Sequence, residues 1–201
     1  MILPHYKNSC SISSIFSMLS QMNFKSNDDL IYLILKYYEK ENSPEITEKL
    51  QRLGLCLIKK FYEKYNLNSD LKNAREILSL FSSTLYSNDS SVELNDYEKI
   101  SDFKTNICFD YEQLKSLIEY NVDKKNVNIV SDESFNYNSE IFINGKKYIP
   151  RIYLIYINSH YLTIVKKENF YLIYDDLNGI CKTNKINLNR CNVEFICYTV
   201  V

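Results

Sequence analysis

Residues 160–176, HYLTIVKKENFYLIYDD, hold two β-branched and aromatic runs divided by the polar turn KKEN. Such runs read as a pair of strands joined in a hairpin. A hairpin of this length brings its far end back beside its beginning, which sets Asp175 near His160 on the adjacent strand. From about residue 126 the surrounding sequence has the same character: NVNIV, SEIFI, KKYIPRIYLIYIN and NVEFICYTVV are further strand candidates. Asn144-Gly145 is the strongest hairpin signal in the chain.

Ahead of this region the period is helical. In NSCSISSIFSMLSQM, residues 8–22, the apolar positions Ile12, Ile15, Phe16, Met18, Leu19 and Met22 recur at spacings of three and four, as on a helix with one apolar face. Asn8 and Ser9 are cap-type residues. SNDDLIYLILKYYEKEN predicts a second helix, with cap residues and acids in its first turn. NSPEITEKLQRLG predicts a third, capped by Ser43, with Pro44 at its first position and Gly54 at its stop. LCLIKKFYEKYN, SDLKNAREILSLFSSTLYSND and FDYEQLKSLIEYN predict more helices, with a polar loop over roughly 87–107. Helices followed by an antiparallel sheet predict one α+β domain over residues 1–201, with a helical half at 1–122 and a β-rich half at 123–201.

The composition excludes several classes. A net charge of −1 does not suit an electrostatic nucleic-acid binder. No apolar run approaches the roughly 20 residues that cross a bilayer, and MILPHYKNSC has no signal-peptide pattern. Both point away from a membrane partner. The six cysteines lack any CxxC pair, so they predict neither a disulfide framework nor a metal site, and they fit a reducing, cytoplasmic or nuclear compartment. No cofactor-binding motif is present.

Cys10 is placed in the first turn of its helix, where unpaired backbone N–H groups and the helix dipole favour a thiolate. A depressed thiol pKa is expected, with Cys10 the first of the six to react with iodoacetamide. The chain has two histidines, His5 and His160. A carboxylate at Asp175 would fix the tautomer of His160 and turn its other nitrogen toward the thiol. The layout is papain-like: nucleophile at a helix start, base at a strand end, orienting acid on the next strand. Asp175 and Asp176 alternate along the strand, so only one meets His160 directly, and Asp175 is the expected one. Tyr153, Tyr156, Tyr161 and Tyr174, on nearby strands, are candidates for the walls of a channel that takes an extended peptide.

NSCSISSIFSML resembles the Cys box of ubiquitin-specific proteases, Asn-Thr-Cys-Tyr-Met-Asn-Ser followed by an apolar helix. Asn8, Ser9, Cys10, Ser14 and Leu19 fall on matching positions, with Ser9 for Thr. SHYLTIVKKENFYLIYDD is similar to the family's His box through His160 and Tyr161, with Tyr171 for Trp and Tyr174-Asp175-Asp176 for Phe-Asp-Asp. LKNAREILSLFSSTL resembles the family's Asp-Ala-x-Glu-Phe-Leu helix through Ala74, Glu76 and Leu78. These pieces keep the family's order.

The resemblance implies a papain-like fold, a helical thumb on a β-rich palm, and hydrolysis after the C-terminal Gly-Gly of ubiquitin or a ubiquitin-like modifier. It implies Cys10 as nucleophile, His160 as base and then acid, Asp175 as orienting residue, and Asn8 and Asp176 in supporting roles. His5 stands where the family has its oxyanion-donating Asn, and an imidazole can donate there with the Cys10 backbone N–H. Ser159 replaces the family's Gly before the histidine, and the zinc-bearing fingers are absent. Josephin-type deubiquitinases, Gly-Gly leader peptidases, a Cys-His-Asp acyltransferase and a ubiquitin-binding module that no longer cuts share parts of this pattern.

Overall fold

In the computed structural model of the chain, residues 1–22, 24, 26–40, 47–67, 74–79, 106–110, 140–143 and 146–201 are described. Among the described residues four helices come first: α1 (Cys10–Gln21), α2 (Asp29–Tyr38), α3 (Thr47–Lys64) and α4 (Ala74–Ser79). Seven strands follow among the described residues: β1 (Asn106–Asp110), β2 (Ile141–Ile143), β3 (Lys146–Ile157), β4 (His160–Lys166), β5 (Tyr171–Asp175), β6 (Gly179–Thr183) and β7 (Asn192–Val200). They form one antiparallel sheet in the order β1-β7-β3-β4-β5-β6, with β2 on the end of β3. The fold is α+β, helical first and β-rich after, as the change of period predicts.

Period-two alternation gives the central strands two cores. Ile152 and Leu154 of β3, Tyr161 and Val165 of β4, Leu172 and Tyr174 of β5, and Phe195 and Cys197 of β7 face the helices. Tyr153, Ile155, Ile164, Ile196 and Tyr198 fill a second core with Leu188. Helix α1 packs against β3, β4 and β5 on one side and against α2 and α4 on others. All ten residues from Cys10 to Leu19 are buried, serines included. The single apolar face expected for α1 is therefore corrected: the small serines let neighbours approach on every side. Several polar groups along the helix find partners, while the Ser11 hydroxyl is buried with none among the described residues. Ser17 Oγ donates to the Ser13 carbonyl at 2.9 Å, Tyr38 Oη donates to that carbonyl at 2.8 Å, and Thr163 Oγ1 of β4 donates to the Ser14 carbonyl at 2.6 Å.

Asp28 caps α2, accepting from Leu30 N at 2.9 Å and Ile31 N at 3.2 Å, and its other oxygen pairs with Lys64 of α3. Gly54 does not stop a helix. α3 runs through it, because the glycine makes room for a close crossing. A Cβ there would lie 2.5 Å from Pro4 Cδ and 2.7 Å from the Tyr37 hydroxyl. We expect Gly54→Ala to destabilise the chain by about 1–2 kcal/mol, overpacking outweighing the better helix propensity of alanine. Urea unfolding checks this, and an unchanged midpoint would show that segment 1–9 yields to the methyl group.

Ile143 pairs with Lys146 across the Asn144-Gly145 positions, as a two-residue hairpin requires. Two strands were not expected: β1 replaces the end of the predicted loop and the start of the predicted 109–121 helix, and β6 lies where no element was predicted. Ser43, Pro44, the NVNIV strand and most of the predicted 69–89 and 109–121 helices lie outside the described residues. Cys197 is disulfide-bonded, and Cys108 stands opposite it in the β1–β7 register. This corrects the expectation that the cysteines form no pair.

Candidate active site

β3 and β4 are joined by Asn158-Ser159, with φ of 51° and 60°. Both values are positive, as a type I′ turn demands. Ser159 thus occupies a conformation that favours glycine, the residue the resembling family carries there. The turn delivers His160 as the first residue of β4. Four-residue reversal at 167–170, closed by Lys167 N donating to the Phe170 carbonyl at 2.8 Å, returns the chain along β5 to Asp175.

His160 Nε2 lies 2.8 Å from Asp175 Oδ1. The same oxygen accepts the Leu177 N–H at 2.9 Å, and Asp175 Oδ2 accepts from Asn178 Nδ2 at 2.6 Å. Burial alone would raise this carboxyl, but the donors from Asn178, His160 and Leu177 outweigh it and hold Asp175 below the ordinary carboxylate range. It is an anion at neutral pH, and its contribution to stability is lost only as pH falls through that lowered value.

Asp176 turns toward the N-terminal segment. Its Oδ2 accepts from His5 Nδ1 at 2.9 Å and from Ser9 Oγ at 3.4 Å, while its Oδ1 lies 3.6 Å from His160 Nε2. His5 Nδ1 is therefore engaged with an acid. Ser9 holds the N-cap position of α1 without capping it: its Oγ accepts the Tyr6 N–H at 3.0 Å instead. Asn8 is exposed in the turn ahead of α1.

Cys10 opens α1 and is 4% exposed. Its sulfur lies against the start of β4, with the backbone N–H of Tyr161 directed at it. The pKa expectation is overturned. Burial pushes the thiol up; the Tyr161 N–H opposes this, the Asp176 charge adds to it, and the N–H groups of Ser11 and Cys10 do not reverse it. The helix-terminus effect read from sequence is real but smaller than desolvation.

The four tyrosines separate. Tyr153 is fully buried in the second core, away from α1 and Cys10, so it is no channel wall. Tyr174 is packed in the helical-face core. Tyr161 is buried there too, its Oη donating to Glu194 Oε1 at 3.1 Å and accepting the Ala74 N–H at 3.3 Å. Tyr156 is half-buried and packs its ring on Tyr161 at 4.8 Å between centroids. Of the set, only Tyr156 keeps a partly open face.

Sequence reasoning missed Tyr62 of α3. Its hydroxyl is pushed up to about 12 by burial first, then by the nearby Cys10, Tyr6 and Asp176 charges. It also missed Asn178, whose spacing in DDLN is that of a side chain closing a turn on its own acid. One ligand atom each from His160, Asp175 and Asp176 lies within 4.8 Å of the others, a donor set that suits a metal ion. No protein-family model matches the chain, and no curated protein matches it.

Proposed function

We propose that this chain is a papain-like cysteine hydrolase that cuts after the C-terminal Gly-Gly of ubiquitin or a ubiquitin-like modifier. The observation that carries it is the 2.8 Å pairing of His160 Nε2 with Asp175 Oδ1 at the strand end where the Cys10 sulfur is packed. Asp175 holds the proton of His160 on Nε2, which leaves Nδ1 with a lone pair. That nitrogen takes the Cys10 proton as the sulfur attacks the scissile carbonyl, then gives it to the leaving amine. The resulting thioester is hydrolysed by water activated at the same nitrogen. With His5 held by Asp176, backbone N–H groups at the start of α1 are left to stabilise the oxyanion. The modifier's Gly-Gly tail comes from the sequence resemblance and suits a confined approach, since glycine brings no side chain to a thiol that is 4% exposed.

Ubiquitin and ubiquitin-like modifiers bearing a C-terminal electrophile test the proposal. A covalent adduct is expected, lost in Cys10→Ala with the fold unchanged by circular dichroism. A folded chain that binds no modifier and forms no adduct would refute it. The same burial of Cys10 favours one second reading, a module that holds the modifier without cutting. Reversible binding with no adduct would select that reading. The described residues contain no helix long and apolar enough to cross a membrane.

A further inference from the structure

Asp176 presents a buried carboxylate oxygen with no hydrogen-bond donor. Its side chain is 1% exposed, and its Oδ1 has no hydrogen-bond partner among the described residues. Burying a carboxylate oxygen without a donor is costly unless something of opposite charge meets it. Among the described residues no lysine or arginine pairs with Asp175 or Asp176; both acids face imidazoles instead. The free Oδ1 lies on the His160 side, 3.6 Å from Nε2, while Asp175 Oδ1 lies 2.8 Å from the same nitrogen.

We propose that His160 Nε2, an Asp175 oxygen and Asp176 Oδ1 form a binding site for a zinc-type divalent ion, and that its occupation switches His160 off as a base. Zinc bonds of about 2.0–2.2 Å set neighbouring tetrahedral ligand atoms roughly 3.3 Å apart, and the two separations from Nε2 straddle that value. An imidazole nitrogen with two carboxylates suits zinc better than magnesium or calcium, which take oxygen alone. The supporting contacts are in place: His5 Nδ1 holds Asp176 Oδ2, and Asn178 Nδ2 holds Asp175 Oδ2. Such outer contacts orient ligating carboxylates.

The ion binds through the Nε2 lone pair and displaces the proton that Asp175 otherwise holds there. The neutral ring's one proton then sits on Nδ1, which has no lone pair left to accept the Cys10 proton. Inhibition therefore needs no metal–sulfur bond. Binding itself does not depend on the hydrolase proposal; only the inhibition does.

The test uses the full chain carrying Cys56→Ser and Cys181→Ser, which removes two exposed thiols. Zinc is titrated by calorimetry and cobalt by absorbance. One equivalent is expected, with a tetrahedral cobalt spectrum and no thiolate charge-transfer band. Adding Cys10→Ser leaves the affinity unchanged, while Asp176→Asn and His160→Ala each weaken it by about 10- to 100-fold. Asp175→Asn serves in place of either variant that does not fold. Loss of binding on Cys10→Ser, or equal binding by all variants, overturns the site. A modifier adduct without zinc binding would leave the hydrolase standing and remove the metal site; zinc binding without an adduct would do the reverse.

Discussion

Asp175→Ala is expected to lower turnover of a modifier substrate by about 10³–10⁴-fold, the scale on which a misdirected catalytic histidine fails. Asp176→Ala is expected to cost much less. The difference follows from the distances: Asp175 Oδ1 meets His160 Nε2 at 2.8 Å, whereas Asp176 Oδ1 stands off at 3.6 Å and its other oxygen serves His5. Without Asp175 the ring loses the acceptor that keeps its proton on Nε2. Asp175→Asn should fail on a similar scale, because its amide can donate to Nε2 and hold the ring in the wrong tautomer. Steady-state kcat with a fluorogenic modifier substrate measures all three. A larger loss in Asp176→Ala than in Asp175→Ala would move the orienting acid by one residue.

Alkylation of Cys10 should rise about hundredfold between pH 6.5 and 8.5, without a plateau. Iodoacetamide reacts with the thiolate, and below the thiol pKa that fraction grows about tenfold per pH unit. Burial puts the Cys10 pKa above its usual value, so the rise continues through the whole neutral range. Exposed Cys56 and Cys181 should label first, the reverse of the order read from sequence. Mass spectrometry of time-resolved digests gives the rate for each cysteine. A Cys10 rate that levels off below pH 7 would reveal a thiolate already paired with imidazolium.

What was legible in the sequence was what is local. Asp28 caps α2 from two and three residues away, and the His160-to-Asp175 hairpin is set by alternation within fifteen residues. Features settled by distant partners were not. β1 is recruited by β7, some ninety positions on, and nothing in NICFD itself announces a strand. β6 is mostly exposed and lacks the alternation that betrays a half-buried strand. Gly54 has the same look whether it ends a helix or admits Pro4 and Tyr37, and only packing tells which. Cys10 shows the same division, since its helix terminus is written locally while its burial is supplied by β4. Tyr153 and Tyr161, eight residues apart, fall on opposite faces because the strand reverses between them.

The contact between α1 and β4 sets an order of events during synthesis. Thr163 and the Ser14 carbonyl it holds are 149 residues apart, so α1 emerges from the ribosome long before the strand that covers it. The β3–β4–β5–β6 meander closes through short turns and can assemble as soon as it is made. Docking α1 onto it closes a far longer loop than any turn of the meander and comes late. The nascent chain therefore carries the Cys10 thiol uncovered for most of its growth. The His160–Asp175 pair spans only fifteen residues and can close before α1 docks.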